Sequence, residues 1–102
     1  MDSVSPRPAT PDDLRQMLAI ESASYPQPWQ KEHFTSEMEK AFARILVLTD
    51  DETDSTVVGY IVYWIHAEEV SLLNITLSPS WRGFGYARKL MTVMINDAVR
   101  DE

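Results

Sequence analysis

The run RGFGYARK, residues 82–89, sets two of the chain's three glycines among the cations Arg82, Arg88 and Lys89. These residue types at this spacing suit one kind of chemistry, the holding of an anion by bare backbone. Glycine admits the positive φ angles that turn successive N–H groups toward one point, and it puts no side chain between backbone and ligand. The run follows the strand-like stretch SLLNITLSPS and precedes the helix-like stretch KLMTVMINDAVRDE. A strand, a glycine turn and a helix in that order leave the first helical amides without intrahelical acceptors, at the end where the dipole favours negative charge. The sequence therefore predicts a phosphate seat at this corner.

Two well-known phosphate loops do not fit it. A P-loop needs four residues between its glycines and then Gly-Lys-Ser/Thr, and the dinucleotide fingerprint needs a small residue where Arg88 stands. What remains is Arg-x-x-Gly-x-Ala, read at Arg82, Gly85 and Ala87, preceded by Ser78-Pro79 and an apolar strand. Other reactive groups are few. The chain has no cysteine, hence no disulfide, thiolate nucleophile or thiolate metal site. Its two histidines, His33 and His66, belong to no His-Glu-x-x-His or similar cluster, so no metal is expected.

These residues need a scaffold, and hydrophobic spacing outlines it. Thr10-Pro11-Asp12-Asp13 is a helix start, with Thr10 as cap, proline in the first turn and two acids at the positive end of the dipole. Leu14, Met17 and Leu18 continue at helical spacing to about Ser24, where Pro26 and Pro28 end the element. Residues 30–40 form a second helix with Phe34 and Met38 on one face. ARILVLT reads as a strand, DDETDS as a polar hairpin loop and TVVGYIVYWIH as a strand apolar on both faces, as a central strand covered on each side would be. A further strand spans residues 70–77, and a last helix begins near Ala87. With a short N-terminal strand, this order predicts an α/β (α+β) fold with a mixed, mainly antiparallel sheet flanked by helices.

At 102 residues and 44% hydrophobic content the chain is expected to be one domain, residues 1–102. No run reaches a membrane span and MDSVSPRPAT lacks the features of a signal peptide, so a soluble, cytoplasmic protein with no membrane partner is expected. The net charge of −7 argues against a nucleic-acid partner and suits a cationic or amine substrate. Asn74-Ile75-Thr76 matches a glycosylation sequon, but inside an apolar strand it reads as chance.

The strand, the loop and the helix together resemble the GNAT superfamily of acetyl-CoA-dependent N-acetyltransferases, whose signature is Gln/Arg-x-x-Gly-x-Gly/Ala. RPATPDDL, YPQPWQKEHF, VVGYIVYWI and LLNITLSPSWRGFGYARKLM resemble successive parts of its ribosomal-protein alanine N-acetyltransferase branch. The resemblance implies that coenzyme A lays its pyrophosphate on the amides of Gly83, Phe84, Gly85, Tyr86 and Ala87, with Arg82 shaping the loop and Arg88 near the nucleotide. It implies that the pantetheine arm runs along Leu73, Asn74, Ile75, Thr76 and Leu77, an N–H near Ile75 polarising the thioester carbonyl. Tyr25, Trp29 and Phe34 match the segment lining the acceptor side, and Glu69 and Glu68 are the candidate bases, acting through water. An α-amino group, with a pKa of about 8, needs less of a base than lysine.

The likeness covers the N-terminal two-thirds of such a domain, so the chain reads as a truncated GNAT domain lacking the C-terminal strands and the tyrosine that protonates the thiolate. Two functions follow from it. One is N-acetyl transfer from acetyl-CoA to a primary amine, for instance a protein N-terminus; the other is a non-catalytic coenzyme-A-binding or assembly module. The edge of residues 70–77 would be left unpaired, predicting a homodimer or a second subunit there.

Overall fold

Asp13 decides how the first helix begins. In the computed structural model, which describes residues 3–53 and 55–100, β1 (Val4–Pro8) leads into a 3₁₀ turn at Pro11–Asp13 and then α1 (Leu14–Ser24). The Asp13 carboxylate accepts the Thr10 N–H at 2.8 Å and a bidentate pair from Arg7 at 2.8 and 2.9 Å. Thr10 is the cap residue of this turn, as expected, and Asp13 three positions on reaches back to its N–H. This tie joins β1 to α1 across the bend.

Helix α2 (Lys31–Met38) follows, then β2 (Ala43–Asp50), β3 (Val57–His66), β4 (Glu69–Leu77), a second 3₁₀ turn at Pro79–Trp81 and α3 (Tyr86–Arg100). The sheet order is β1-β2-β3-β4, and all three pairings are antiparallel, so among the described residues the sheet is antiparallel rather than mixed. Asp54 in the predicted hairpin loop, and residues 1–2 and 101–102, lie outside the described residues. Among the described residues no helix is long and apolar enough to cross a membrane.

Helices cover β3 on both faces, as its two-sided hydrophobicity predicts. On one face Leu14, Met17 and Ile20 of α1 and Phe34 of α2 pack against Val47, Tyr60 and Val62. On the other, Tyr86, Leu90 and Met94 of α3 pack against Val58, Ile61, Tyr63 and Leu77. β4 is an edge strand, and its register slips between Val62 and Tyr63 of β3, whose partners are Asn74 and Leu72. Leu73 is therefore the extra residue of a bulge, which bends the strand and interrupts its ladder.

Arg7 holds the Asp13 carboxyl below its ordinary value of 3.8, against the opposing effect of burial. A depressed pKa contributes stability that is complete above the unfolded value and is lost as pH falls through the folded one. Asp13→Asn is therefore expected to cost about 1–3 kcal/mol at pH 7. Urea titrations should show the gap between variant and parent closing below about pH 4.

Candidate functional site

Gly83 and Gly85 take φ angles of +87° and +83°, and a methyl group built on either would meet nothing within 4 Å. The glycines are thus required by backbone conformation, while the space in front of them is open. Among the described residues no hydrogen bond engages the amides of Gly83, Phe84, Gly85, Ala87 or Arg88; the first helical bond at this end runs from Lys89 N to Gly85 O. α3 has 15 residues, so its dipole adds positive potential at this end.

The flanking cations divide by role. Arg82 donates through Nε to the Leu77 carbonyl at 3.0 Å and through a terminal nitrogen to Ser24 Oγ at 2.8 Å, tying the loop to the ends of β4 and α1. Lys89 reaches away to the Val4 carbonyl at 3.0 Å, leaving Arg88, exposed on the next position, as the cation of the helix end. The Tyr86 ring is buried against α3's core partners, whereas Phe84 stands 58% exposed on the loop.

A groove of about 620 Å³ runs beside the bulge of β4. The segment between α1 and α2 supplies Tyr25, Pro26, Gln27 and Trp29 to its wall, and β4 supplies Leu72 to Ile75. Proline at 26 and 28 keeps that segment from continuing α1, so the chain crosses the top of the sheet instead. The Tyr25 hydroxyl lies 2.9 Å from Thr76 Oγ1, which donates to Asn74 Oδ1 at 2.9 Å. Tyr25 and Trp29 thus line this groove. Phe34 does not: it is fully buried, its ring 5.1 Å from Trp29 and edge-on to Tyr60 at 5.6 Å, so it props the groove wall from behind.

Glu68 and Glu69 are exposed at the β3–β4 turn, where Ala67 takes a φ of 56°. Glu69 is five strand positions from Asn74, roughly 15 Å away along β4. The structure does not bring this pair to the groove. Among the described residues no cluster of three or more His, Cys, Asp or Glu is placed to hold a metal.

Sequence reasoning missed Glu21, which lines the groove and is 2% exposed. Its carboxylate accepts the Tyr60 hydroxyl, Asn74 Nδ2 at 3.0 Å and the Trp29 N–H at 2.9 Å. Burial and the neighbouring carboxylate push the Tyr60 hydroxyl far above the ordinary tyrosine range, so Tyr60 stays a donor. The signal was legible: Glu21 continues the Leu14, Met17, Leu18 stripe at helical spacing, an acid at a core position.

The profile of the acetyltransferase (GNAT) family matches residues 14–102. A Bacillus subtilis (strain 168) protein, provisionally named a ribosomal protein bS18-alanine N-acetyltransferase, is 33% identical over 73 residues, which are 71% of this chain and 46% of that protein. The ribosomal protein bS18-alanine N-acetyltransferase of Haemophilus ducreyi is 29% identical over 84 residues, 82% of this chain and 55% of its own. The Escherichia coli ribosomal-protein-S18-alanine N-acetyltransferase superposes with a TM-score of 0.82 at 21% identity, over 99% of this chain and 61% of that one. PaiA N-acetyltransferase from Thermoplasma acidophilum, crystallised with coenzyme A, gives a TM-score of 0.82 at 18% identity, over 97% of this chain and 74% of its own. The two structural likenesses establish the fold. The chain spans about half the length of the curated relatives it matches.

Arg82→Ala should release the loop from Leu77 and Ser24 at a cost of about 1–2 kcal/mol. Amide hydrogen exchange at Trp81 and Lys89, whose N–H groups are bonded on either side of the loop, should accelerate more than exchange in β3.

Proposed function

Because the chain belongs to the GNAT family of acetyltransferases, we propose that it binds acetyl-CoA at the corner between β4 and α3 and transfers the acetyl group to a primary amine in the adjoining groove. The observation that carries this reading is the pair of positive-φ glycines with unengaged amides facing open space. A diphosphate fits that donor set: the N–H groups of Gly83, Phe84, Gly85 and Ala87 would hold it, with Arg88 adding charge and Arg82 keeping the loop in shape. The backbone of residues 73–77 would take the pantetheine arm as a short extra strand. The bulge at Leu73 frees strand amides from the ladder, and one of these, from Leu73 to Ile75, would donate to the thioester carbonyl.

Acetyl-CoA supplies the activated acyl group when bound. The chain's own residues do the rest. Trp29, Leu72 and Leu73 keep water from the reacting end of the groove, and Tyr25 and Asn74 line the path of the amine. The acceptor we favour is a protein N-terminal amine, the class named for the bacterial relatives. With Glu68 and Glu69 remote, its proton leaves to solvent, which a pKa of about 8 makes feasible near neutral pH. As the C–N bond forms the thioester C–S bond breaks, and the departing thiolate takes a proton from solvent. That remoteness, with Glu21 fully engaged, favours a second reading, a coenzyme-A-binding or assembly module without turnover. We further propose that the open edge of β4, where Val70 and Leu72 are 40% and 43% exposed, pairs with a second copy of the chain ahead of the bulge.

Calorimetry with acetyl-CoA followed by acetylation of an alanine-initiated peptide separates the two readings: turnover establishes the enzyme, and binding without turnover the module. Gly85→Val should weaken acetyl-CoA binding by about 10–100-fold, the worth of one or two charge-assisted bonds. The substitution should leave the circular dichroism intact while costing about 1–2 kcal/mol for the left-handed backbone. Retained affinity would refute the placement of the diphosphate. Sedimentation should show dimers at micromolar concentration that Leu72→Lys dissociates; a monomer throughout removes the edge-pairing proposal.

A further inference from the structure

Glu21 is an acid where packing alone would call for an apolar residue. It lies on the buried stripe of α1, near the helix's carbonyl end, where the dipole opposes a negative charge. Burying a carboxylate there is costly unless every oxygen is satisfied. Three elements supply the donors. Oε1 takes the Tyr60 hydroxyl from β3 and Asn74 Nδ2 from β4, and Oε2 takes the Trp29 N–H from the segment ahead of α2. Trp29 and Asn74 stand on opposite walls of the groove, and Asn74 adjoins the bulged Leu73. All three partners are donors, so only an acceptor with two oxygens can serve them together.

We infer that Glu21 is a positioning residue, whose two carboxyl oxygens lock the segment carrying Tyr25 and Trp29 onto the bulged strand and so fix the groove that receives the amine. The inference rests on the acetyltransferase reading for what the groove binds, but not for the lock itself. Glutamine at this position keeps an oxygen for Tyr60 and Asn74 and turns its NH₂ toward the Trp29 N–H, donor against donor. Glu21→Gln thus cuts one tie selectively. Tyr60→Phe removes a different donor and leaves the Trp29 and Asn74 ties in place.

The test titrates a hexapeptide beginning with alanine into isotope-labelled protein, with and without coenzyme A, for the parent, E21Q and Y60F. In E21Q the peptide dissociation constant should rise at least about tenfold, the worth of a hydrogen bond to a charged group. Coenzyme A affinity should stay within about twofold in E21Q, and peptide affinity in Y60F within about threefold, below the loss of one such bond. The Trp29 amide should exchange faster in E21Q than in Y60F at matched urea stability. In the parent, which needs no variant to fold, Trp29 should exchange more slowly than the exposed Gln27 beside it. Equal losses of peptide affinity in E21Q and Y60F mean a merely structural role and overturn the inference. So does a Trp29 amide that exchanges as fast as Gln27 in the parent, or a parent that binds no peptide. A parent that binds peptide but no coenzyme A refutes the acetyltransferase reading alone, and the Trp29 exchange still decides the role of Glu21.

Discussion

β3 carries helices on both faces, and from this the rest of the architecture follows. A strand with no solvent-facing side must satisfy every polar side chain internally, and it bears two tyrosines. Tyr60 points toward α1 and gives its hydroxyl to Glu21, while Tyr63 points toward α3 and gives its hydroxyl to Asp97 at 2.6 Å. Burial and the carboxylate partners push both hydroxyls above the ordinary tyrosine range, so both remain donors. Each bond fixes how a helix is rotated and how far it slides along the sheet. The two tyrosine–carboxylate pairs thus tie α1 and α3 to opposite faces of the same strand. Among the described residues no buried side-chain polar atom lacks a partner.

Between those halves lies β4, paired on one side only. Gly59 lets β3 approach it closely, since a methyl group there would lie 2.4 Å from a Leu77 side-chain carbon and 2.9 Å from the Thr76 carbonyl. The strand is thus held tightly at the end that meets the glycine loop and bulges at Leu73, where it meets the groove. Under the acetyl-transfer proposal, one edge strand would present a phosphate seat at its C-terminal end and an amine groove midway along. The spacing between them is set by strand rise, not by loop flexibility. This division of labour along a single strand is the physical content of the acetyl-transfer proposal.

Much of this was legible because it is local. The Arg82–Gly85–Ala87 pattern, set between an apolar strand and a helical run, required a turn with positive φ whatever the rest of the chain did, and Gly83 and Gly85 adopt it. The two-sided apolar run of β3 announced a central strand. The start of the first helix was legible in Thr10, its cap, but not in the pair from Arg7 that holds Asp13 in place, which no local pattern announces. Phe34 shows the same limit: an aromatic beside a proline-rich turn suits a groove or a core equally, and only the packing of Trp29 and Tyr60 around it chose the core.

The chain's own order therefore determined the element succession, the buried faces and the backbone conformation of the glycine turn, because these depend on neighbours within a turn or a strand. Tertiary structure alone decided which side chains share the groove. Glu21, Trp29 and Asn74 are separated by up to 53 positions and meet only once α1 has been laid across β3 and β4. It likewise left Glu68 and Glu69 out of the groove's lining: chain order puts them at the start of β4, but only the packing of the segment between α1 and α2 decided that the groove meets that strand from Leu72 onward. A carboxylate's role is set by the donors around it, and those donors arrive from elements that local sequence cannot bring together.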